Sequence, residues 1–212
     1  QYRLDEKDGK LNVFSPPDVC EQYLISADVA KGLTGGDYSA ADVWCIYPQG
    51  LDLCMEQVAQ YHGHINSAEY GCELMKLAVW YNSAPVIVER TGPGDATINK
   101  LRELGYWNLY QDLNAPAAAR IQYGHLYGVD TNVASKPVMI ALLQGSIKDR
   151  ATGRRSIIFR NVKSLEELEN YIQAPSESGK TMTFHAAGTM KDDRVMSAAI
   201  GCFVLKTNPG AV

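Results

Sequence analysis

Apolar residues in the first third of the chain occur in runs and alternations that are typical of β-strands. They predict strands over 22–28, 40–47 and 51–61, and the Pro-Gln-Gly sequence at 48–50 predicts a tight turn between the last two. Two strands closed by a short turn form an antiparallel hairpin, so we expect the chain to start as an antiparallel meander.

Helical periodicity begins after the meander and then alternates with short apolar runs. The run at 85–89 is apolar up to its final glutamate, as in a central strand that is covered on both faces. The predicted helices cover 66–82, 92–105, 135–147, 164–172 and 192–206, and the further predicted strands cover 85–89, 107–112, 154–161 and 181–187. This order predicts an α/β fold with helices on the faces of a mixed sheet.

Local capping signals mark the ends of several predicted helices. Asn66 with Glu69 resembles a capping box, and Gly105 is a typical C-terminal cap. Ser164 with Glu167 forms an S-x-x-E box, which predicts that the next helix begins at Ser164.

The length and composition of the chain are those of one folded domain. Its 212 residues, of which 46% are hydrophobic, can bury a sizeable core. Residues 1–17 lack periodicity and end in Pro-Pro, so we expect a linker or tail over 1–15, a folded domain over 16–207 and a short tail over 208–212. Because the first residue is Gln1 and not Met, we expect the chain to be part of a longer protein.

Composition excludes several classes of protein. The five cysteines form no C-x-x-C pair and most lie in apolar runs, which indicates core residues of a reducing compartment and not a zinc site. No apolar stretch approaches the roughly 20 residues that span a bilayer, and the first 12 residues do not resemble a signal peptide. A net charge of −4 argues against a uniformly basic DNA-binding protein but allows a local basic patch.

Four carboxylates follow or precede predicted elements in a suggestive order. Asp28 and Glu89 end two strands, and Asp192 and Asp193 begin the last helix. Each has a simpler explanation when taken alone, as a turn former, a polar strand end or a helix cap. Because the ends of adjacent strands lie about 4.8 Å apart, these side chains can nevertheless converge, and their order is stronger evidence than any one of them.

Converging carboxylates predict a site for hard divalent cations. Like charges within a few ångströms repel, and some would keep their protons unless a cation neutralised them. Mg²⁺ or Mn²⁺ binds such oxygen ligands, and two ions about 3.5–4 Å apart can activate a water molecule and stabilise the leaving oxygen of a phosphodiester.

Three segments resemble the C-terminal nuclease domain of the large terminase subunit of tailed bacteriophages. They are SADVAKGLTGGDYSAADVW, VIVERTGPGDATINKLRELGY and HAAGTMKDDRVMSAAIG, and the resemblance extends from about Pro16 to Lys206. It implies an RNase H-like fold with helices on both faces of the sheet. It also implies a metal-dependent endonuclease that cuts concatemeric double-stranded viral DNA in the host cell cytoplasm, with no membrane association.

The resemblance also implies roles for individual residues. The first acidic motif falls on Asp28, the second on Glu89 and the third on the Asp192–Asp193 pair, as catalytic residues and ligands of two Mg²⁺ or Mn²⁺ ions, and Asp37 matches a further acidic position near the metal or is a turn residue. The family's ATPase domain is absent, since the chain has no G-x-x-x-x-G-K-[ST] motif. That ATPase domain, the small terminase subunit and the portal protein are the expected protein partners.

Basic residues predict where DNA would bind. Six of them lie within 16 residues that contain a single acid, and this stretch either contacts the phosphate backbone or is a solvated edge. These six are Lys148, Arg150, Arg154, Arg155, Arg160 and Lys163. Lys191 and Arg194 flank the acidic pair, and they either approach the scissile phosphate or offset the charge of the two acids. Lys136 either packs within the fold or contacts DNA.

Two other functions remain open on the sequence. DVAKGLTGGDYS loosely resembles the phosphate loop of actin-like ATPases, although the chain is short for their two lobes. Alternatively, the chain is a non-catalytic module that docks on DNA or portal protein, with structural acids. His62 and His64 are expected at the surface, and His185 is more typical of a strand side chain than of a catalytic residue.

Overall fold

The three-dimensional structure is a computed structural model that describes residues 9–30, 38–50, 52–112, 126–148, 156–175, 182–186 and 191–211. The strands are β1 (Leu11–Val13), β2 (Gln22–Asp28), β3 (Ser39–Gln49), β4 (Asp52–Gly63), β5 (Val86–Val88), β6 (Ile157–Ile158), β7 (Tyr171–Pro175) and β8 (Met182–Ala186). The helices are α1 (Ser67–Trp80), α2 (Gly94–Glu103), α3 (Ser135–Lys148), α4 (Val162–Glu169) and α5 (Asp193–Thr207), followed by a 3₁₀ turn (Pro209–Ala211).

Six strands form one mixed sheet in the order β1-β4-β3-β2-β5, with β6 also paired to β4. The meander β2-β3-β4 is antiparallel, as its hairpin turn predicted, and Gly50 in that turn has a φ of 70°. β5 runs parallel to β2, and β6 runs parallel to β4. β7 and β8 form a separate antiparallel hairpin. The predicted mixed α/β sheet is therefore confirmed.

Each face of the sheet carries its own hydrophobic core. Tyr70 and Leu74 of α1 pack with α2 on one face, and α3 and α5 cover the other. Alternate residues of β2 serve the two cores, with Ile25 on the α1 side and Leu24 on the α5 side. This double cover explains why β5 is wholly apolar and why the residues of β2 between Tyr23 and Ala27 are apolar apart from Ser26.

Helix α5 packs closely on the sheet because its Gly201 faces the sheet. A Cβ at Gly201 would lie 2.9 Å from Ser26 Oγ and 3.1 Å from Trp44 Nε1, so a larger side chain would push the helix outward. The Trp44 indole donates a hydrogen bond to Ser26 Oγ at 2.9 Å, and both side chains are fully buried. The close packing at Gly201 therefore sets the distance between α5 and the sheet. The first residues of α5 lie next to the end of β2.

Several local predictions differ from the observed elements. Leu11–Val13 was assigned to a tail, yet it pairs with β4 as a short edge strand. The predicted strand at 107–112 makes only isolated bridges, at Leu109 and Gln111. Of the predicted strand at 154–161, the described residues 156–161 form a strand only at Ile157–Ile158. Such edge segments owe their conformation to one neighbouring strand, which hydrophobic periodicity does not reveal.

Helix α4 also begins earlier than its S-x-x-E sequence predicted. Asn161 is the N-cap, and its side chain accepts a hydrogen bond from Lys163 N at 3.0 Å. Ser164 and Glu167 lie inside the helix and are buried, where they bond to other elements, so the predicted capping box is wrong. The Asn66 cap of α1 and the left-handed Gly105 after α2 are as predicted. No helix in the described part of the chain is long and apolar enough to cross a membrane.

Candidate active site

The parallel pairing of β2 with β5 brings two carboxylates together. Ala27 is in register with Val88, and Glu89 N donates a hydrogen bond to Ala27 O at 2.9 Å. Asp28 and Glu89 are the next residues after this pair, one following Ala27 and the other following Val88. Their carboxyl groups are hydrogen-bonded to each other. β2 lies inside the sheet and β5 is its neighbour at the end of the strand order, so their pairing brings the two side chains to the same end of adjacent strands.

The start of α5 supplies the other two carboxylates. Asp193 is 4% exposed, and its Oδ2 accepts a hydrogen bond from Tyr38 N at 3.4 Å. Asp192 occupies the N-cap position, but its side chain makes no capping hydrogen bond. The Asp192 carboxylate is instead turned towards Lys136, whose Nζ lies 3.5 Å from Asp192 Oδ2.

All four carboxylates line one pocket of about 250 Å³. Its wall is completed by residues from the end of β2, from the start of α3 and from α5, among them Val29, Ala30, Tyr38, Thr131, Lys136 and Met196. The spatial convergence on which the sequence hypothesis depended is therefore present. The catalytic and metal-binding roles of the four acids remain predictions.

Burial and mutual repulsion disfavour the charged forms of two carboxyl groups in this pocket. Burial, followed by the neighbouring Glu89, Asp193 and Asp192, raises the pKa of Asp28 well above its ordinary value. Burial also raises the pKa of Glu89, although the hydrogen bond from Asp28 and the charge of Lys136 act in the opposite direction. A cation entering the pocket would favour the charged forms of both groups.

The pocket offers oxygen ligands suited to Mg²⁺ or Mn²⁺. Among the described residues, no three His, Cys, Asp or Glu side chains are arranged so that together they could hold one metal ion. Mg²⁺ typically keeps several waters and binds one or two carboxylates, so an open arrangement of paired carboxylates fits this ion better than an ion that needs a full protein shell.

His62 is a site residue that the sequence interpretation placed wrongly at the surface. Its Nε2 lies 3.7 Å from Asp193 Oδ2, and burial lowers its pKa. The Tyr38 ring lies between the two histidine rings, with centroids 4.6 Å from His62 and 3.9 Å from His64. Strand register could have indicated this, because β3 Ala40 pairs with both His62 and Asp28 and so aligns all three.

Arg194 is buried, unlike a typical contact residue for DNA. It is 9% exposed, and its guanidinium bonds to Glu167 and, through Nε at 3.0 Å, to Gln60 Oε1. These partners favour the alternative that Arg194 offsets acidic charge. Its contact with DNA remains an untested prediction.

The other basic residues are spread over different parts of the molecule. Arg160 is half-exposed and forms an ion pair with Glu56 on β4, whereas Lys136 lies in the pocket wall. Lys163 is exposed near the start of α4, and Lys191 directly precedes Asp192. The predicted contacts Arg150, Arg154 and Arg155, the side chain of Lys148 and the predicted ligand Asp37 lie outside the described residues.

Gly94 holds the segment after Glu89 in place. A Cβ at this position would lie 1.6 Å from Glu89 O, so only glycine allows α2 to start directly against the end of β5. The GPG turn quoted in the second motif therefore has a steric role, which is to fold the chain back sharply after Glu89.

Solved structures with the same arrangement of elements are nuclease domains of large terminases. The nuclease of thermophilic phage G20c with bound magnesium aligns with a TM-score of 0.68 and 20% identity, over 93% of this chain and 89% of that one. The chain has the fold of a large terminase nuclease domain. This confirms the predicted RNase H-like fold.

Two other terminase nucleases extend the comparison. The nuclease domain of Thermus phage P74-26 aligns with a TM-score of 0.60 and 20% identity, over 92% of this chain and 86% of that one. The P22 nuclease domain aligns with a TM-score of 0.53 and 14% identity, over 92% and 88% of the respective chains. No family model and no curated protein sequence matches the chain. The terminase nuclease fold thus covers nearly all of the chain.

A second buried carboxylate, Asp42, lies beneath the site and leads to a prediction about stability. Gln57 Nε2 and Gln60 Nε2 donate to its Oδ1 at 2.6 and 2.7 Å, but burial dominates and raises its pKa from 3.8 to about 6. Between these two pH values the unfolded chain releases this proton and the folded chain retains it. The contribution of Asp42 to folding stability therefore falls as the pH rises through this window.

We expect Asp42→Asn to stabilise the protein at pH 7, by at most about 3 kcal/mol, because a neutral amide avoids burying a charge. The amide oxygen keeps the two glutamine hydrogen bonds, and the new amide nitrogen would face the neighbouring Ser197 hydroxyl. Urea unfolding of parent and variant at pH 4, 5, 6 and 7 measures this. A stability difference that does not grow with pH would contradict the assignment of the raised pKa to Asp42.

Proposed function

We propose that this chain is the nuclease domain of a large terminase and hydrolyses phosphodiester bonds of double-stranded DNA with the help of divalent metal ions. The observation that supports this most directly is the pocket shared by Asp28, Glu89, Asp192 and Asp193. The nuclease of phage G20c, which has the same fold, has been solved with magnesium and with cobalt.

In this proposal the four carboxylates hold two Mg²⁺ or Mn²⁺ ions. When bound, such ions activate a water molecule and stabilise the leaving oxygen of a phosphodiester. No covalent intermediate with a serine or cysteine is required. Concatemeric viral DNA would be the substrate, cut in the host cytoplasm.

The protein's own contribution is to hold the carboxylates in place and to balance their charge. Asp28 and Glu89 project from paired strands, and Tyr38 N together with His62 orients the Asp193 carboxylate. Lys136 lies close to Asp192 and offsets part of the acidic charge.

DNA would approach along the open side of this pocket. Lys136 lies 3.5 Å from Asp192 and Lys191 directly precedes Asp192 along the chain, and the segment from Lys148 to Arg160 remains the proposed contact with the phosphate backbone. Contacts of this kind give salt-dependent binding with little sequence preference. The proposed protein partners are the terminase ATPase domain, the small terminase subunit and the portal protein.

A nicking assay tests the proposed activity. We expect the purified chain to convert supercoiled plasmid to open-circular and linear DNA in Mn²⁺ or Mg²⁺, and EDTA to stop the reaction, because the proposal assigns activation of the water to the metal ions. Mn²⁺ at 100 times its Kd should also stabilise the fold by about 2.7 kcal/mol, seen as a raised Tm.

The two measurements together separate the proposal from its alternatives. A chain that gains no thermal stability from Mn²⁺ and does not cut DNA would be the docking module, with acids that serve structure only. Binding of ATP by calorimetry without nicking would indicate the actin-like phosphate site instead.

A further inference from the structure

A buried polar cluster lies behind the acidic pocket and joins α4, α5 and the sheet. All of its members are at most 9% exposed, which is unusual for charged and amide side chains. The cluster consists of Asp42, Gln57, Gln60, Ser164, Glu167 and Arg194. Its contact with the pocket is made through Arg194, which directly follows Asp193.

The start of α5 is capped from another helix. The first N–H groups of a helix need acceptors, and an aspartate at the N-cap usually supplies one. Asp192 does not do so, since its side chain makes no capping bond. Instead, Glu167 Oε2 of α4 accepts a hydrogen bond from Arg194 N at 2.9 Å. Glu167 therefore caps α5, although it belongs to α4 and lies 27 residues before Arg194 in the sequence.

The negative charge of the capping Glu167 carboxylate is neutralised by an adjacent guanidinium. The Arg194 guanidinium bonds to Glu167 Oε1, so the capping carboxylate adds little net charge beside the four acids of the pocket. An uncompensated fifth carboxylate there would add to the repulsion among the four acids.

Gln60 ties this pair to the sheet. Its Oε1 accepts hydrogen bonds from Arg194 Nε at 3.0 Å and from Asn161 Nδ2 at 2.6 Å, and its Nε2 donates to Ser164 Oγ at 2.9 Å. Helix α4 is therefore held against β4 at both Asn161 and Ser164. Glu167, which lies one turn after Ser164, is thereby placed under the first turn of α5.

We propose that Glu167 is a positioning residue for the acidic site: by capping α5 from outside, it leaves the Asp192 carboxylate free to face the pocket. This inference rests on the proposed metal-binding function. Without Glu167, Asp192 is the nearest carboxylate able to cap its own helix, and it would turn away from the pocket. Loss of a residue that orients metal ligands typically weakens metal affinity 10–100-fold.

Calorimetric titration with Mn²⁺ tests this without any measure of activity. We expect Glu167→Ala to weaken Mn²⁺ binding 10–100-fold, and Glu167→Gln, whose amide oxygen can still accept from Arg194 N, to stay within threefold of the parent. Glu166→Ala changes the exposed neighbour on the same helix and is the matched control, with unchanged affinity. In nicking assays, Glu167→Ala should recover most of its kcat at high Mn²⁺ with an unchanged KM for DNA.

A double-mutant cycle with Asp192→Asn identifies the route of the effect. If Glu167 acts through Asp192, its replacement should change Mn²⁺ affinity much less in the Asp192→Asn background than in the parent. Equal effects in both backgrounds would overturn the proposal, as would a folded Glu167→Ala protein with Mn²⁺ affinity within twofold of the parent.

Folding failure and failure of the proposed function are both distinguishable. If circular dichroism shows that Glu167→Ala does not fold, the double variant Glu167→Ala/Arg194→Met takes its place, because it leaves no unpaired buried charge. Its Mn²⁺ affinity is then compared with that of the parent, and a value within twofold of the parent would overturn the proposal. A parent chain that binds no Mn²⁺ would overturn both the metal function and the role of Glu167. A parent that binds Mn²⁺, with a variant that binds it equally well, would overturn only the latter.

Discussion

Asp28→Asn is expected to reduce metal-dependent cleavage of DNA by about 10³-fold or more while leaving the fold intact. Asp28 lines the pocket with the three other acids and hydrogen-bonds to Glu89, so an amide here removes a proposed metal ligand. The loss of a metal position is worth several kcal/mol of transition-state stabilisation, and each 1.36 kcal/mol is tenfold in rate.

The same substitution is expected to maintain or slightly raise the Tm. The raised pKa of Asp28 means that its charge is costly in this pocket, and a neutral amide avoids that cost. Loss of activity with an unchanged or higher Tm is the result expected for a residue that serves function at a cost in folding stability.

The measurement is plasmid nicking in Mn²⁺ together with thermal unfolding. Asp52→Asn is the matched control, because Asp52 is an exposed aspartate at the opposite end of β4 from the site. If Asp28→Asn nicked plasmid at the parental rate, the assignment of this pocket as the catalytic site would be wrong.

Arg194→Met is expected to destabilise the protein by about 3–5 kcal/mol. It removes the guanidinium from Glu167, whose carboxylate is only 6% exposed and would be left as an unpaired buried charge. Met fills a similar volume with no charge, so the loss reports the broken ion pair more than a cavity.

Urea unfolding measures this loss, and a surface ion pair provides the control. Arg160→Met breaks the half-exposed pair with Glu56 and should cost less than about 1 kcal/mol. Adding Glu167→Leu to Arg194→Met should recover part of the stability, since no buried charge then remains unpaired. An Arg194→Met protein as stable as the Arg160→Met protein would show that the buried pair contributes little.

Much of the sheet and most of the helices could be predicted from local pattern. The apolar run of β5 correctly indicated a strand buried on both faces, and the Asn66 and Gly105 caps correctly marked helix ends. The acids also stood at element ends that the pattern located, which is why their convergence could be proposed. These features depend on residues only a few positions apart along the chain.

Prediction failed where a residue's partner lies far away in sequence. Glu167 was interpreted as half of a capping box within its own helix, but it caps a helix 27 residues later. His62 was placed at the surface because its neighbours along β4 gave no partner, while Asp193 lies beside it in the fold.

Local sequence therefore established the α/β architecture, the strand and helix ends that carry Asp28, Glu89 and the Asp192–Asp193 pair, and the chemistry that those carboxylates share. Long-range packing established which side chains face the pocket, that Arg194 is buried and that Glu167 and Gln60 support α5 from behind, with Gln60 and Arg194 separated by 134 residues. The physical reason is that burial and capping patterns repeat over one or two turns of chain. The pairing of buried polar groups depends instead on how whole elements pack, and no short stretch of sequence records that.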